Sequence, residues 1–188
     1  MCRSAIFFRG PSTRLALALL VLVPAAAGAT VLVTVKEALE LAFPGSTTAR
    51  ETLFLTGDQR MSAAETSGTD VASAIVTRFV ATGSNGEVEG YAYLDTHRVR
   101  TLAETMLVVL DADGTVRRVE VVTFREPLEY MPRKGWYEQY EGRKLDEDLA
   151  LKRAIRPVTG ATLTARATTE AVRRVLAIHL AVTAEDGP

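Results

Sequence analysis

The stretch ETMLVVLDADGTVRRVEVVTF, residues 104–124, carries the clearest fold signal in this sequence. Two runs rich in apolar and β-branched residues flank Asp111-Ala112-Asp113-Gly114, a turn sequence typical of a β-hairpin. In the second run, valines alternate imperfectly with charged residues such as Arg117 and Glu120. We therefore predict strands over residues 104–111 and 115–124, in a half-buried antiparallel sheet with one face in water.

Further strand-like segments precede this hairpin. Runs over residues 74–80 and 88–95 are separated by Gly83-Ser84-Asn85-Gly86, a strong turn signal, and residues 52–56 form another candidate strand. The polar segment Asp95 to Arg100 is interpreted as a link between strands. It contains His97, and a lone histidine with no second ligand at metal-binding spacing predicts a surface residue rather than a metal site.

Helical patterns lie at both ends of the strand region. Apolar residues recur at helical spacing in residues 35–43, and Asp58 is a candidate cap for a second helix. Residues 145–155 change from acidic to basic and suggest a short helix. The longest pattern, residues 165–182, has an apolar stripe that includes His179, which we expect to pack in the core.

These patterns predict the α+β class. The economical arrangement is a single domain with a mainly antiparallel sheet and flanking helices at its ends and on one side. The C-terminal helix docks on that sheet through its apolar stripe.

The N-terminus has the pattern of a signal peptide or of a membrane anchor. Three arginines precede an uninterrupted apolar run, Leu15 to Val23, and Ala27-Gly28-Ala29 fits the small-x-small cleavage rule with Thr30 as the first mature residue. The alternative is an uncleaved anchor from Leu15 to Val33. Because basic residues precede the apolar run, either case places residues 30–188 outside the cytoplasm, in the periplasm or held at the membrane.

Composition excludes some classes of function. The net charge is −1, and residues 30–188 hold 19 basic against 23 acidic residues, whereas nucleic-acid binding favours a basic surface. Cys2 is the only cysteine, so the chain has no Cys-x-x-Cys redox motif. No catalytic triad, paired acids or metal cluster is evident, so no catalytic residue is predicted. A redox role therefore needs a cofactor that is not held by cysteine.

The strongest candidate site is Thr159-Gly160-Ala161-Thr162-Leu163-Thr164, just ahead of the C-terminal helix. The first N–H groups of a helix lack partners within the helix, and its dipole favours negative charge there, so a phosphate suits this position. Gly160 and Ala161 leave room for a phosphate to approach the backbone. The alternative is that Thr162 is only a helix cap.

Thr159-Gly160-Ala161-Thr162 resembles the flavinylation motif of the FMN-binding domain family, which includes the extracytoplasmic flavin subunits of the Rnf and Na⁺-pumping NADH:quinone oxidoreductase complexes. In that family, a dedicated flavin transferase uses FAD to attach FMN through a phosphoester to the last threonine. The resemblance implies FMN on Thr162, and Thr164 matches a common hydroxyl residue. The family usually has Asp six residues before the acceptor, where this chain has Arg156.

The middle segment, residues 124–143, is a second candidate for the site. It contains the only tryptophan and three of the five tyrosines of the chain. A flavin ring binds flat apolar partners and a few polar groups, which Tyr130 and Trp136 for stacking and Glu126 for polar contact could supply. Glu126-Pro127 also resembles a Glu-Thr-Pro-Gly-like segment of the family. The alternative is that Trp136, Tyr137 and Tyr140 begin a helix and pack it on the sheet.

The resulting hypothesis is an extracytoplasmic flavoprotein that carries electrons between redox partner proteins, which can be membrane-bound. Its maturation requires a flavin transferase. It is an electron carrier or a component of an oxidoreductase complex rather than a stand-alone enzyme. A second hypothesis is an exported, non-redox ligand-binding module that never receives flavin, which Arg156 favours. A third is a flavin reductase with a small-molecule substrate.

Overall fold

One antiparallel sheet of six strands organises the computed structural model, which describes residues 30–184. The order across the sheet is β1-β6-β5-β4-β3-β2, so β2 to β6 form a meander and β1 adds to the outer edge of β6. The strands are β1 (Thr30–Val31), β2 (Thr47–Phe54), β3 (Ile75–Thr82), β4 (Val88–Arg98), β5 (Ala103–Asp111) and β6 (Val116–Phe124). The predicted α+β class with a mainly antiparallel sheet is confirmed.

Four α-helices pack around this sheet: α1 (Val35–Ala42), α2 (Gly57–Ser67), α3 (Lys134–Tyr137) and α4 (Thr162–Thr183). Short 3-10 turns, Leu128–Tyr130 and Glu138–Tyr140, lie on either side of α3. The predicted signal peptide or anchor, residues 1–29, lies outside the described residues. Among those described, no helix is long and apolar enough to cross a membrane.

Both faces of the sheet are covered at its centre. On one face, Met106, Val108 and Leu110 of β5 belong to the core cluster that contains the buried residues of α2 and α4. On the other face, Leu107 and Val109 pack with α1 and Phe43. Residues 106–110 are consequently 0% exposed, so the predictions of one wet face and of helices on one side only are wrong here. The charged residues of β6 led to the prediction of a wet face, whereas the uninterrupted apolar run of β5 is buried on both faces.

The hairpin between β5 and β6 forms as predicted. Gly114 has φ +79°, a left-handed conformation that glycine adopts without a steric penalty, and the Asp111 N–H donates to the Thr115 carbonyl at 2.8 Å. This turn fixes the pairing of the two strands that lead to the candidate site.

Several predicted boundaries are wrong. Strand β2 covers residues 47–54 rather than 52–56, because its outward-facing polar residues conceal the strand pattern. Helix α2 is capped by Thr56, in a reciprocal capping box with Gln59, rather than by Asp58. Residues 145–155 form turns with a bridge between Leu151 and Ile155 instead of a helix. Strand β4 continues through Arg98, so Asp95 to Arg98 are part of the sheet.

Candidate functional site

The Thr162 hydroxyl lies at the N-terminus of α4, exposed to solvent. Thr162 is the first residue of the helix, and its Oγ1 donates to the Val158 carbonyl at 3.0 Å. The N-cap position is occupied by Ala161, whose side chain has no atom that can accept a hydrogen bond. The interpretation of Thr162 as the helix cap is therefore wrong, and no side-chain cap occupies this helix terminus.

The two hydroxyls that flank Leu163 have different surroundings. Thr164 is 1% exposed, and its Oγ1 donates to the Tyr130 carbonyl at 2.5 Å. Thr164 therefore ties the start of α4 to the segment that follows β6, whereas Thr162 remains accessible. Gly160 has φ +84°, and no atom lies within 4 Å of the position that a Cβ would occupy, so the turn before the helix is open.

A shallow cavity of about 240 Å³ adjoins Thr162. Its lining consists of Arg100, Tyr130 and residues 160–164. Arg100 comes from the loop between β4 and β5, and its guanidinium Cζ lies 4.5 Å from the centroid of the Tyr130 ring. The cavity thus combines a hydroxyl, an uncapped helix N-terminus and a cation. Sequence reasoning missed Arg100, because nothing local distinguishes it from neighbouring arginines such as Arg98.

Glu126 supports the loop that carries Arg100. Its Oε1 accepts hydrogen bonds from the backbone N–H groups of Thr101 and Leu102, at 2.7 and 2.8 Å. The hydrogen bond from Leu102 is the largest cause that lowers the pKa of the Glu126 carboxyl below its usual value. Glu126 does not line the cavity beside Thr162; in this structure it positions the loop whose arginine does.

Trp136 does not line the cavity beside Thr162. Its ring lies edge-on to Tyr137 and Tyr140, with centroids 5.2 and 5.5 Å away, and its indole N–H donates to the Arg156 carbonyl at 2.7 Å. Tyr137 and Tyr140 are buried in the core. The interpretation that these aromatic residues pack on the core is therefore confirmed, but they do not begin a helix: Trp136 and Tyr137 end the four-residue α3, and Tyr140 ends the 3-10 turn after it. Arg156 is exposed, and its N–H donates to Gln139 Oε1 at 2.9 Å.

His97, which the sequence predicted to be a surface residue, belongs to a network of charged side chains on β4, β5 and α4. That prediction is wrong: the side chain of His97 is 10% exposed, and its ring nitrogens lie 2.9 Å from Asp95 Oδ1 and 3.1 Å from Glu104 Oε2. Arg174 of α4 contacts both carboxylate oxygens of Asp95, at 2.8 to 3.0 Å. Burial disfavours protonation of His97, but hydrogen bonds to the two acids outweigh it and raise its pKa to about 9.

The second histidine lies in the core, as predicted. His179 is 4% exposed, and its Nδ1 lies 2.9 Å from the Tyr93 hydroxyl. Burial lowers the pKa of His179 to about 4, so this imidazole is neutral in the folded protein near neutral pH.

The cavity residues fit a phosphate ester. A phosphate at Thr162 would meet the uncapped N-terminus of α4, which favours negative charge, and the guanidinium of Arg100, which offers paired donors. The open position at Gly160 leaves space for such a group. At about 240 Å³, the cavity is smaller than pockets that enclose whole ligands, commonly about 300–1,000 Å³. A larger ligand held here would remain partly exposed.

Residues 101–177 match the model of a family described as the FMN-binding domain. This segment contains β5, β6, the connection to α4 and most of α4, and therefore includes residues 159–164; Arg100 lies one residue before it. No curated protein and no solved structure shows significant similarity to the chain.

Proposed function

Because residues 101–177 of this chain belong to the FMN-binding domain family, with FMN as the cofactor, we propose that the protein is an extracytoplasmic electron-transfer flavoprotein that carries FMN in phosphoester linkage to Thr162. The observation that carries this proposal is the exposed Thr162 hydroxyl, at a helix N-terminus that no side chain caps and beside Arg100.

The attachment is a group transfer to Thr162. Its Oγ1 attacks the FMN-side phosphorus of FAD, the Oγ1–P bond forms, and the bond to the AMP oxygen breaks, so AMP leaves. The hydroxyl proton passes to a base of the flavin transferase. The hydroxyl must be accessible to the transferase for this step, and the exposure of Thr162 meets that requirement. Thr164 is buried and bonded to Tyr130, which favours Thr162 as the acceptor.

The residues around Thr162 bind and orient rather than react. The N-terminus of α4 and Arg100 offset the negative charge of the phosphodiester. Tyr130 offers an aromatic ring at the rim of the same cavity, and Glu126 holds the loop that bears Arg100. Bound FMN supplies the electron-transfer chemistry, and the protein supplies position and electrostatics.

The shallow cavity favours an electron carrier over a stand-alone reductase. An enzyme that reduces a small molecule commonly encloses it, whereas the cavity at Thr162 leaves a cofactor accessible to another protein. The redox partners are proteins, and the signal or anchor predicted at the N-terminus favours partners at the membrane. Covalent attachment suits a protein outside the cytoplasm, where a lost flavin is not readily replaced.

The intact mass of the exported protein tests the covalent bond. The wild type and the Thr162→Val and Thr162→Ser variants are expressed in a host with a flavin transferase that is shown to modify another target. We expect an increase equal to FMN minus water in the wild type and in Thr162→Ser, which keeps the hydroxyl, and no increase in Thr162→Val. An unmodified wild-type mass would reject the covalent linkage, and modification of Thr162→Val would reject the assigned residue.

A further inference from the structure

From the surface around the candidate site, we infer that the flavin-bearing end of the domain lies against an anionic phospholipid membrane. This orientation rests on the proposed function, since it concerns the direction in which the flavin-bearing site faces. The surface, here called the site-end surface, consists of Val31, Leu32, Arg98, Arg125, Leu128 and Leu163.

The topology places these residues at one end of the sheet. Val31 pairs with Thr123 near the end of β6. Arg98, the last residue of β4, pairs with Ala103, whose carbonyl accepts the Arg125 N–H at 3.1 Å. Adjacent strands are about 4.8 Å apart, so the backbones at Arg98 and Arg125 are roughly 10 Å apart across β5. Leu128 opens the turn that leads to Tyr130, and Leu163 lines the cavity beside Thr162.

Large apolar side chains of this surface are exposed to solvent. Val31 is 62% exposed, Leu32 41%, Leu128 52% and Leu163 49%. Single exposed apolar residues are common, but these four belong to segments that meet at the same end of the sheet. In the sequence, Val31 and Leu32 continue the apolar run that begins at Leu15. This continuity with a candidate signal or anchor is the first reason to assign a lipid surface as the occupant.

Exposed basic side chains at the same end of the sheet are the second reason to assign a lipid surface as the occupant. Within residues 98–102, 125–134 and 156–166, seven basic side chains are exposed, namely Arg98, Arg100, Arg125, Arg133, Lys134, Arg156 and Arg166, against the exposed acid Glu129. This contrasts with the acidic balance of residues 30–188 as a whole. Among the described residues, Arg98, Arg125 and Arg166 form no ion pair. Basic side chains beside exposed apolar ones suit a bilayer interface that carries anionic headgroups.

A polarity-sensitive fluorophore on a single cysteine tests this orientation. In full-length protein with Cys2→Ser, the label is attached at Leu128→Cys on the site-end surface, or at Val88→Cys as the control. Val88 is 40% exposed and begins β4, at the opposite end of the sheet. Each protein is mixed with vesicles of phosphatidylcholine alone or of phosphatidylcholine with phosphatidylglycerol. Protein made with and without a flavin transferase is compared, so that a failure of membrane contact is distinguishable from a failure of flavinylation.

We expect a blue shift of the Leu128 label with the anionic vesicles, a smaller shift with neutral vesicles, and no shift of the Val88 label. Since each basic residue near an anionic surface is worth about a five-fold change in affinity, Arg98→Glu/Arg125→Glu should raise the lipid concentration for the half-maximal shift by at least about 25-fold. Arg50→Glu/Lys144→Glu makes the same charge change on other surfaces and should have little effect.

Equal shifts of the two labels, or no shift of the Leu128 label with anionic vesicles, would overturn the inference. The same holds if an acidic protein shifts the Leu128 label while vesicles do not, because the site-end surface would then be a protein interface.

Discussion

The guanidinium of Arg100 lies over the ring of Tyr130, with 4.5 Å between Cζ and the ring centroid. One residue comes from the loop between β4 and β5 and the other from the segment after β6, and both line the cavity beside Thr162. A cation above an aromatic face is held in place without neutralising its charge. Arg100 is therefore available to a phosphate at the N-terminus of α4.

Arg100→Ala should slow the attachment of flavin to Thr162. Losing a hydrogen bond to a charged group costs about 1.5–3 kcal/mol, so we expect a decrease in rate of roughly ten-fold or more. The measurement is the fraction of modified protein against time, by intact mass, with purified transferase and FAD. Arg98→Ala is the matched control, because Arg98 is a nearby exposed arginine outside the cavity. Equal rates for the two variants would contradict a role for Arg100.

Glu126→Ala should weaken both the fold and the site. The substitution removes the acceptor of the Thr101 and Leu102 N–H groups, at a cost of about 1–3 kcal/mol in the free energy of unfolding. We also expect slower flavinylation, because the loop that carries Arg100 loses its anchor. Chemical denaturation and the mass assay measure the two effects. Glu129→Ala removes an exposed carboxylate nearby and should change neither; a similar loss in both variants would argue against the anchoring role.

His97 should make the protein less stable in alkaline solution. Its pKa rises from 6.5 to about 9 on folding, so the folded state binds more protons between these values, and the free energy of unfolding falls as pH rises through this range. The full contribution, present below pH 6.5, is on the order of 3 kcal/mol. Denaturation at pH 6.5 and pH 9 should show this decline in the wild type and not in His97→Gln. A wild-type stability that is constant over this interval would contradict the assignment.

His179 should have the opposite effect in acid. Its pKa falls from 6.5 to about 4 on folding, so the unfolded chain binds the additional proton between these values, and stability is lost as pH falls from 6.5 towards 4. We expect His179→Gln to remove this part of the pH dependence. Tyr93→Phe is the control, since it deletes the hydrogen bond to Nδ1 but keeps the titrating imidazole. The result to be compared is the slope of unfolding free energy against pH; equal slopes in wild type and His179→Gln would count against the prediction.

Gly90→Ala should destabilise the sheet. A Cβ on Gly90 would lie 2.2 Å from the Leu110 carbonyl oxygen and 2.7 Å from the Phe43 ring, so the backbone or α1 must shift. Overpacking of this kind costs about 1–3 kcal/mol. Thermal and chemical denaturation give the difference from wild type. Gly57→Ala, where no atom lies within 4 Å of the added Cβ, should leave stability nearly unchanged or slightly higher, and equal losses would contradict the packing argument.

Local patterns in the sequence determined the β5–β6 hairpin, helices α1 and α4 and the position of Thr162. These features depend on neighbours within a few residues: turn residues at Asp111 to Gly114, apolar residues at helical spacing, and hydroxyls before a helix. Because these patterns record only neighbours along the chain, they gave wrong predictions where distant contacts or backbone angles matter. Whether Thr162 or Ala161 caps α4 depends on backbone angles, and whether β5 is buried on both faces depends on where α1 packs.

The residues that come together at the site from distant parts of the chain follow from tertiary contacts and not from local patterns. Arg100 and Thr162 line the same cavity because β4 and β6 finish at the same end of the sheet, where the segment after β6 is bonded to the start of α4. The ring of His97 lies between two carboxylates because Asp95 is two residues away on the same face of β4 and Glu104 lies opposite on β5. Arg174 approaches Asp95 from α4. A sequence pattern records spacing along the chain, whereas contacts between strand ends and helix termini arise only when the chain folds.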